Sequence, residues 1–194
     1  MYKVILASAS PRRQELLKQI NIDYSVMVSQ ADETYDKGLA PSQVVEVLSL
    51  KKARAVMENI EPEEPTVIIA ADTIVALENI ILGKPRSPQE AEKMLSLLSG
   101  KAHKVHTGVT MAFIDGDKKE LVTFSDFAEV YFRELELDEI KAYIDTKEPL
   151  DKAGAYGIQE KGAILVEKIK GDYYTIVGLP LVKVYMELKK KNCI

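Results

Sequence analysis

Cysteine is almost absent from this sequence, since the only one among 194 residues is Cys193, beside the C-terminus. A single cysteine excludes an internal disulfide framework and a cysteine-based metal cluster, and it is typical of a reducing compartment. Long hydrophobic runs are missing as well: the first apolar stretch, Val4-Ile5-Leu6-Ala7, is too short for a signal peptide or a membrane span. We therefore expect a soluble, cytoplasmic protein in which Cys193 has no catalytic part.

Positive charge is not in excess either, because 26 Lys and Arg residues stand against 30 Asp and Glu residues, a net charge of -4. The overall balance therefore does not suggest a nucleic-acid-binding protein, and any basic site must be local. The chain has no internal repeats, no P-loop and no Gly-x-Gly-x-x-Gly dinucleotide motif. Its hydrophobic fraction of 46% is ample for a packed core, so we expect a single domain over residues 1–194, or two tightly joined lobes.

Hydrophobic periodicity predicts an α/β protein with a mixed sheet in the order β-α-β-α-β-α-β-β-α-β-α. A second apolar run after residue 71, with a turn at Glu78-Asn79, indicates a hairpin-like continuation of the third strand. Tyr173-Tyr174 are interpreted as core residues of a strand. The predicted strands are 3–8, 24–28, 66–71, 104–114, 120–132 and 163–169, and the predicted helices are 11–20, 42–59, 88–98, 136–145 and 180–191.

Two arginines fall where a helix should not carry positive charge. Ser10 is the predicted N-cap and Pro11 the first residue of the first helix, so Arg12 and Arg13 lie in its first turn. The exposed N–H groups and the helix dipole already make that end positive. Two guanidinium groups together with the hydroxyls of Ser8 and Ser10 form a dense array of donors, which favours a phosphate ligand. The alternative is that both arginines point into solvent or pair with a nearby acid.

Asp72 is the second feature with chemical meaning. It follows the near-continuous apolar run of residues 66–71, at the predicted carboxyl end of a buried strand. Ligands of α/β sheets usually bind at that end, and a buried carboxylate there must be offset by a metal, a cation or hydrogen bonds. The alternative is an Asp that closes the strand by bonding the following turn.

Two lysines and an acidic pair could complete such a site. Lys84 lies in a Gly-Lys-Pro loop after the Asp72 segment, Lys52 falls at the edge of the apolar face of its helix, and Asp32-Glu33 follows the second strand. Taken alone, either lysine is better explained as a solvated side chain. Carboxylates that converge with lysines and arginines are, however, what magnesium-assisted phosphoryl chemistry uses.

Two further groups of residues carry weaker signals. The spacing of His103 and His106 puts them on opposite faces of a strand, so we interpret both as structural rather than metal-binding. Residues 153–159, Ala-Gly-Ala-Tyr-Gly-Ile-Gln, form either an ordinary loop or a pocket wall in which the Gln159 amide reads a base edge.

Taken together, these segments resemble the Maf family of nucleotide pyrophosphatases, once named for septum formation. The resemblance runs from Leu6 to about Leu181. It implies an elongated α/β fold akin to the inosine-triphosphatase group, with two lobes around a cleft, usually in a homodimer. It also implies hydrolysis of nucleoside triphosphates to the monophosphate and pyrophosphate, with a divalent cation such as Mg²⁺ or Mn²⁺, and neither nucleic acid nor membrane as partner. The segments that carry it are LASASPRRQELL, Lys52-Ala53 in KKARAV, AADTIV, GKP, HTGV and DKAGAYGIQ.

The resemblance also implies roles for individual residues. Asp72 matches the catalytic aspartate and Glu33 its acidic partner, and these two would hold the metal. The phosphate-binding positions match Ser8, Ser10, Arg12, Arg13, Lys52 and Lys84, and the positions that choose the substrate match Arg12, Thr73 and Gln159. We expect Asp72 to act as general base on a water while Lys52, Lys84 and the two arginines hold the triphosphate.

The segment GAYGIQ is similar to the branch of the family that acts on dTTP and UTP. A branch that acts on 7-methyl-GTP has a charged sequence with Lys and Glu at this place. Glu160 is a departure, because the dTTP/UTP branch often has glycine there. The expected function is a dTTP/UTP pyrophosphatase in nucleotide-pool house-cleaning. The alternatives are a pyrophosphatase for 7-methyl-GTP or another purine triphosphate, and a non-enzymatic nucleotide-binding regulator of septum formation, which would not need Asp72.

Overall fold

A seven-stranded mixed sheet forms the centre of the computed structural model, which describes residues 2–78 and 80–194. The strand order is β2-β1-β3-β5-β6-β7, with β4 paired to β3. β1 runs parallel to β2 and to β3, whereas β4 is antiparallel to β3 and β7 antiparallel to β6. The predicted mixed α/β sheet is therefore confirmed. The strands are β1 (Lys3–Leu6), β2 (Ser25–Val26), β3 (Thr66–Leu77), β4 (Ile80–Leu82), β5 (Ala102–Asp115), β6 (Lys118–Phe132) and β7 (Val166–Lys170).

The helices begin close to the predicted proline and serine signals. The Ser87 hydroxyl accepts a hydrogen bond from Glu90 N at 3.2 Å, an N-cap followed by proline at the first helical position. In the described part of the chain, no helix combines the length and the apolar character of a membrane span. The helices are α1 (Pro11–Gln19), α2 (Pro41–Met57), α3 (Pro88–Leu98), α4 (Leu137–Asp145), α5 (Tyr173–Val177) and α6 (Leu181–Lys190), with 3₁₀ turns at Glu148–Asp151, Ala153–Ala155 and Glu160–Leu165.

The chain divides into two compact units. Unit 1 comprises Met1–Asp72, Thr107–Asp126 and Gly178–Ile194, and unit 2 comprises Thr73–His106 and Phe127–Val177. In unit 1, α2 packs on the sheet through Ala53 and Val56, which join a buried cluster of strand residues. In unit 2, α3 and α4 contribute to a second core that includes strand residues of β3 to β6. Each unit thus buries its own apolar cluster.

The two histidines are buried in unit 2 against aromatic rings. His103 Nε2 lies 2.7 Å from Tyr156 Oη, and its ring meets Phe132 edge-on at a centroid distance of 5.0 Å. The His106 ring stacks on Phe127 at 5.5 Å. These contacts are those of packing residues, as the strand spacing predicts.

The region after α4 departs most from the prediction. The predicted strand 163–169 is wrong in its first half, because Glu160–Leu165 is a 3₁₀ turn and β7 begins at Val166. The predicted strand at Tyr173-Tyr174 is a helix, α5, whose first turn Asp172 caps by accepting from Thr175 N at 2.8 Å. Tyr173 is exposed rather than part of the core.

Around Asp72 the sheet extends further than its apolar run suggests. β3 continues to Leu77 and pairs antiparallel with β4, so the predicted hairpin is confirmed, although Asn79 of the predicted turn lies outside the described residues. Asp72 is therefore inside a strand rather than at its end. The parallel pairing with β1, however, stops at Leu6 and Ile69. Asp72 lies three residues beyond that stop.

Candidate functional site

The segment between β1 and α1 is held by the Ser8 hydroxyl. Ser8 Oγ accepts hydrogen bonds from Ser10 N at 3.2 Å and from Arg13 Nη1 at 3.0 Å. Ser10 occupies the N-cap position of α1 with Pro11 after it, as predicted, but the Ser10 side chain makes no capping hydrogen bond. The segment is instead organised by the buried Ser8.

Arg13 is anchored rather than solvated. Besides its bond to Ser8, its Nε donates to the Gly178 carbonyl at 2.8 Å. Gly178 has φ +125°, a conformation that favours glycine. Burial lowers the pKa of the Arg13 guanidinium, the charge of Asp72 opposes that shift, and Arg12 adds to it. Arginine still remains charged at physiological pH, so a cation is fixed at the start of α1 beside Asp72.

The parallel register of β1 and β3 explains why Asp72 lies near this segment. Leu6 is opposite Ile69, and Ala7 N donates to the Ile69 carbonyl at 2.8 Å. Both strands run in the same direction, so the residues just after Leu6 and just after Ile69 leave the pairing at the same edge. The β1–α1 segment and Asp72 are brought together by this register.

Lys52 joins two carboxylates. Its Nζ lies 2.5 Å from Asp72 Oδ1 and 2.7 Å from Glu33 Oε1. The side chains of Lys52 and Asp72 are only 16% and 13% exposed, whereas that of Glu33 is 67% exposed. Of the two ion pairs of Lys52, the one with Asp72 is therefore largely removed from solvent. The Lys52 ammonium offsets the cost of burying the Asp72 carboxylate. The sequence-based expectation that Lys52 alone is a solvated side chain is wrong.

α2 reaches this place because its backbone lies directly against β5 at Gly108. A Cβ on Gly108 of β5 would come within 2.4 Å of the Val45 backbone carbonyl carbon and oxygen. One helical turn further on, Ser49 Oγ lies 3.0 Å from Thr110 Oγ1. Lys52 follows seven residues after Val45 and so shares its face of α2. The glycine of the HTGV segment thus helps to bring Lys52 to Asp72.

The two acids of the Asp32-Glu33 pair have different partners. Asp32 accepts from Thr34 N at 3.1 Å and from the Thr34 hydroxyl, and these bonds lower the pKa of the Asp32 carboxyl. That pattern is an Asx turn, which shapes the loop. Lys51 Nζ donates to the Thr34 carbonyl at 2.6 Å and ties the same loop to α2. Glu33 lies between Asp32 and Thr34 in this loop, and its side chain contacts Lys52.

The remaining candidates belong to unit 2. Thr73 follows Asp72 in β3, and Lys84 is exposed in the loop after β4. Within unit 2 the Lys84 loop lies beside the segment that leads to Gln159, because Gly154 N donates to the Gly83 carbonyl at 3.0 Å. The GKP and AGAYGIQ segments are therefore neighbours, and Gln159 itself is half-buried.

Whether the site could bind a divalent cation depends on the carboxylates that it contains. Within residues 2–78 and 80–194, no group of three or more His, Cys, Asp or Glu side chains could hold a metal ion. Asp72 and Glu33 are the two carboxylates that could share one, because an oxygen of each contacts the same Lys52 nitrogen, at 2.5 and 2.7 Å, which brings both side chains to one place. Mg²⁺ is commonly bound by one or two carboxylates, with water and substrate phosphate completing the shell. The donor set therefore fits Mg²⁺ shared with a phosphate ligand.

Sequence reasoning missed the Gly178 carbonyl, which is 165 residues away from the Arg13 that it holds. The Gly-Leu-Pro segment carries a turn signal, but no sequence pattern pairs a backbone carbonyl with a distant arginine. It also missed Tyr143 and Glu148, whose side chains bond the backbone on both sides of Gln159.

Comparison with known proteins identifies the family of this chain. A family model described as Maf-like protein matches residues 3–191. The dTTP/UTP pyrophosphatase of Bacillus cytotoxicus is 50% identical over 190 residues, covering 98% of this chain and 96% of that protein. A Bacillus cereus protein of the same name is 52% identical over 192 residues, covering 99% and 97%. Among solved structures, a nucleoside-triphosphatase (dITP/XTP pyrophosphatase) from Mycobacterium abscessus aligns over 97% of both chains with a TM-score of 0.47 and 14% identity. The resemblance first seen in the motifs is confirmed by the family match over nearly the whole length: the chain belongs to the Maf-like protein family.

Proposed function

We propose that this protein hydrolyses dTTP and UTP to the nucleoside monophosphate and pyrophosphate. The observation that carries the proposal is the contact of Lys52 with Asp72 and Glu33, at 2.5 and 2.7 Å, in the unit that also anchors Arg13. The names of relatives that are half identical to this chain over its whole length supply the substrates.

The start of α1 suits the triphosphate. Ser8 Oγ already accepts two hydrogen bonds, so its hydroxyl hydrogen is left to donate, which is what a phosphate oxygen requires. The N–H groups of the first turn and the Arg13 guanidinium supply further donors and positive charge. Because Arg13 is held by Ser8 and Gly178 before a ligand binds, little side-chain entropy is lost when phosphate arrives. Ser10 and Arg12 are assigned to the same phosphate site.

Asp72 is the general base in this proposal. Phosphoanhydride hydrolysis needs an aligned water and stabilisation of the charge that spreads over the phosphoryl oxygens. The Asp72 carboxylate, in contact with Lys52, can take the proton of that water, while Lys52 and Arg13 stabilise the charge that develops. Glu33 keeps Lys52 directed to this place.

Asp72 and Glu33 would hold the divalent cation, which we propose to be Mg²⁺. When bound with the substrate, such an ion neutralises phosphate charge and acidifies water. In unit 2, Lys84 is assigned to the phosphates. The choice of base is assigned to Thr73 and Gln159 together with Arg12 of unit 1. A neutral amide such as that of Gln159 can donate to and accept from a pyrimidine edge at the same time.

The test is turnover with Mg²⁺ and a panel of triphosphates, followed by phosphorus NMR of the products. Monophosphate with pyrophosphate, and preference for dTTP and UTP, is the expected result. Preference for 7-methyl-GTP would move the protein to the purine alternative, orthophosphate would indicate cleavage at the γ-phosphate, and unaltered triphosphate would leave a nucleotide-binding regulator. The Asp72→Asn variant should lose about 10²–10⁴-fold in kcat. Asp32→Asn is its matched control, since Asp32 bonds Thr34 and should leave kcat nearly unchanged.

Gln159→Glu tests the reading of the base. The variant puts a charge where the proposal needs a neutral amide, and a site built on hydrogen bonds penalises that mismatch strongly. We expect the ratio of kcat/KM for UTP over GTP to fall, and an unchanged ratio would contradict the assignment.

The proposal includes a cytoplasmic location and a homodimer. The single cysteine, Cys193, supports a reducing compartment. Light scattering of the purified protein measures its mass directly, and a mass of one chain at micromolar concentration would remove the homodimer from the proposal.

A further inference from the structure

Residues 157–162, which we call the Gln159 loop, are tied at their first residue to α4. The hydroxyl of Tyr143, near the end of α4, accepts a hydrogen bond from Gly157 N at 3.2 Å. The same hydroxyl donates to Glu148 Oε1 at 3.0 Å. Burial raises the pKa of Tyr143 well above its usual value, so the hydroxyl keeps its proton and serves as both acceptor and donor.

The last residues of the loop are tied to the same carboxylate. Glu148 Oε2 accepts from Lys161 N at 3.3 Å, and Glu148 Oε1 accepts from Gly162 N at 3.4 Å. Lys152 Nζ donates to the Glu148 backbone carbonyl at 2.7 Å, which fixes the turn from which this carboxylate extends. Both ends of the loop therefore depend on two hydrogen-bonded side chains.

The two ends of the loop also touch each other. A Cβ on Gly162 would come within 2.0 Å of the Gly157 carbonyl oxygen and 2.7 Å of Tyr143 Oη. No side chain at residue 162 would fit between these groups, so the backbone at the two ends of the loop is in close contact. Such a closed base narrows the set of conformations open to the residues between.

Inside the loop the backbone is not in its preferred conformation. Glu160, the residue after Gln159, has φ +54°, in the left-handed region. This region is unfavourable for residues with a Cβ and is usually occupied by glycine. Glu160 is exposed, so burial of its own side chain does not hold it there. We therefore expect the hydrogen bonds of Tyr143 and Glu148 at the base of the loop to offset the backbone strain at Glu160, the residue next to Gln159.

We propose that Tyr143 and Glu148 are positioning residues for substrate choice: they hold the Gln159 loop in the conformation that lets Gln159 read the pyrimidine base. The inference rests on the proposed role of Gln159. Neither residue is a catalytic residue, since each acts through backbone N–H groups of the loop.

Tyr143→Phe is the principal variant, because it removes one hydroxyl and keeps the buried ring. We expect the ratio of kcat/KM for UTP over GTP to fall roughly fivefold to tenfold, as the loop leaves its competent conformation part of the time. Glu148→Gln should have a larger effect, because its amide N–H₂ would face a backbone N–H of the loop. Tyr131→Phe is the matched control: it also removes a tyrosine–glutamate hydrogen bond in unit 2, to Glu129 at 2.9 Å, and should leave the ratio unchanged.

Two further measurements separate positioning from general loss of structure. A merely structural defect lowers activity toward all triphosphates by one factor, whereas lost positioning lowers the UTP over GTP ratio. In Gln159→Ala the ratio should already be low, and adding Tyr143→Phe should lower it no further. Amide hydrogen exchange gives a readout without substrate: peptides that cover residues 157–162 should exchange faster in Tyr143→Phe and at the wild-type rate in Tyr131→Phe.

The outcomes distinguish this inference from the proposed function. A low ratio in Gln159→Ala with wild-type ratios in Tyr143→Phe and Glu148→Gln overturns the positioning role and leaves the function standing. Wild-type exchange of residues 157–162 in Tyr143→Phe also overturns it. A wild-type ratio in Gln159→Ala contradicts the role of Gln159 itself, and the positioning role is overturned with it. Faster loop exchange together with a lowered, non-additive ratio supports both.

Discussion

Acidification should destabilise this protein through His103, which the fold keeps neutral. The ring is 2% exposed, and burial lowers its pKa to about 4, from an ordinary value of 6.5. In the unfolded chain the imidazole takes up a proton as the pH falls below 6.5, whereas in the folded protein it does not until the pH approaches 4. The unfolded state therefore binds more protons between these values, and the free energy of unfolding falls as the pH falls.

The magnitude follows from the shift. Each pKa unit corresponds to about 1.4 kcal/mol, so the His103 contribution that is complete above pH 6.5 and lost by pH 4 is about 3 kcal/mol. That is a large share of the roughly 5–15 kcal/mol by which domains are stable. Below pH 4 the folded ring is charged next to Phe132 and Tyr156, and both of its nitrogens are then donors, so the Tyr156 hydroxyl can only accept from Nε2.

The assay is urea unfolding from about pH 7 to about pH 4.5 for the wild type and for His103→Gln. The variant should be less stable at neutral pH, because ring contacts are lost, but its stability should fall less steeply with acid. His106→Gln serves as the control for the second histidine, whose pKa is also lowered by burial and by Lys104. Carboxylates titrate in all three proteins, so the difference in slope isolates each histidine. Equal slopes for wild type and His103→Gln would refute the reasoning.

Three other substitutions test separate contacts. Arg13→Lys keeps the charge but cannot bond both the Gly178 carbonyl and Ser8, so the free energy of unfolding should fall by about 2 kcal/mol. Calorimetry should then show a Tm lower by roughly 4–8 °C, and an unchanged Tm would contradict the anchoring. Gly108→Ala forces α2 off the sheet and should cost both stability and kcat, with wild-type kcat as the contrary result. Glu160→Gly removes left-handed strain, so the Tm should rise by about 1–3 °C, and a fall would contradict it.

Elements were predictable where one local signal decides them. Pro11, Pro41 and Pro88 each begin a helix, and the apolar run before Asp72 is a strand. The bound of that strand was predicted too early, because the polar Asp72-Thr73 interrupts the apolar pattern, whereas β3 runs through them to Leu77 and pairs with β4 in the predicted hairpin. Residues 163–165 were mistaken for a strand because their apolar residues suit either structure, while the hydrogen bonds to Glu148 that shape the start of the 3₁₀ turn come from outside it.

The candidate site, like the fold, could be predicted from the sequence only in part. Residue types and motifs indicated phosphate binding at Arg13, but the partner that fixes its direction is 165 residues away and is a backbone carbonyl. A helix that carries cations in its first turn is unfavourable by itself. It becomes tolerable when the guanidinium is bound on one side to a carbonyl and when carboxylates lie near, as Gly178 and Asp72 do here. The same anchoring removes the arginine's freedom to seek solvent, so the positive charge stays where an anion can meet it. What looks unfavourable in the local sequence is therefore offset by residues from distant parts of the chain, and the phosphate site that we propose would need no rearrangement of Arg13.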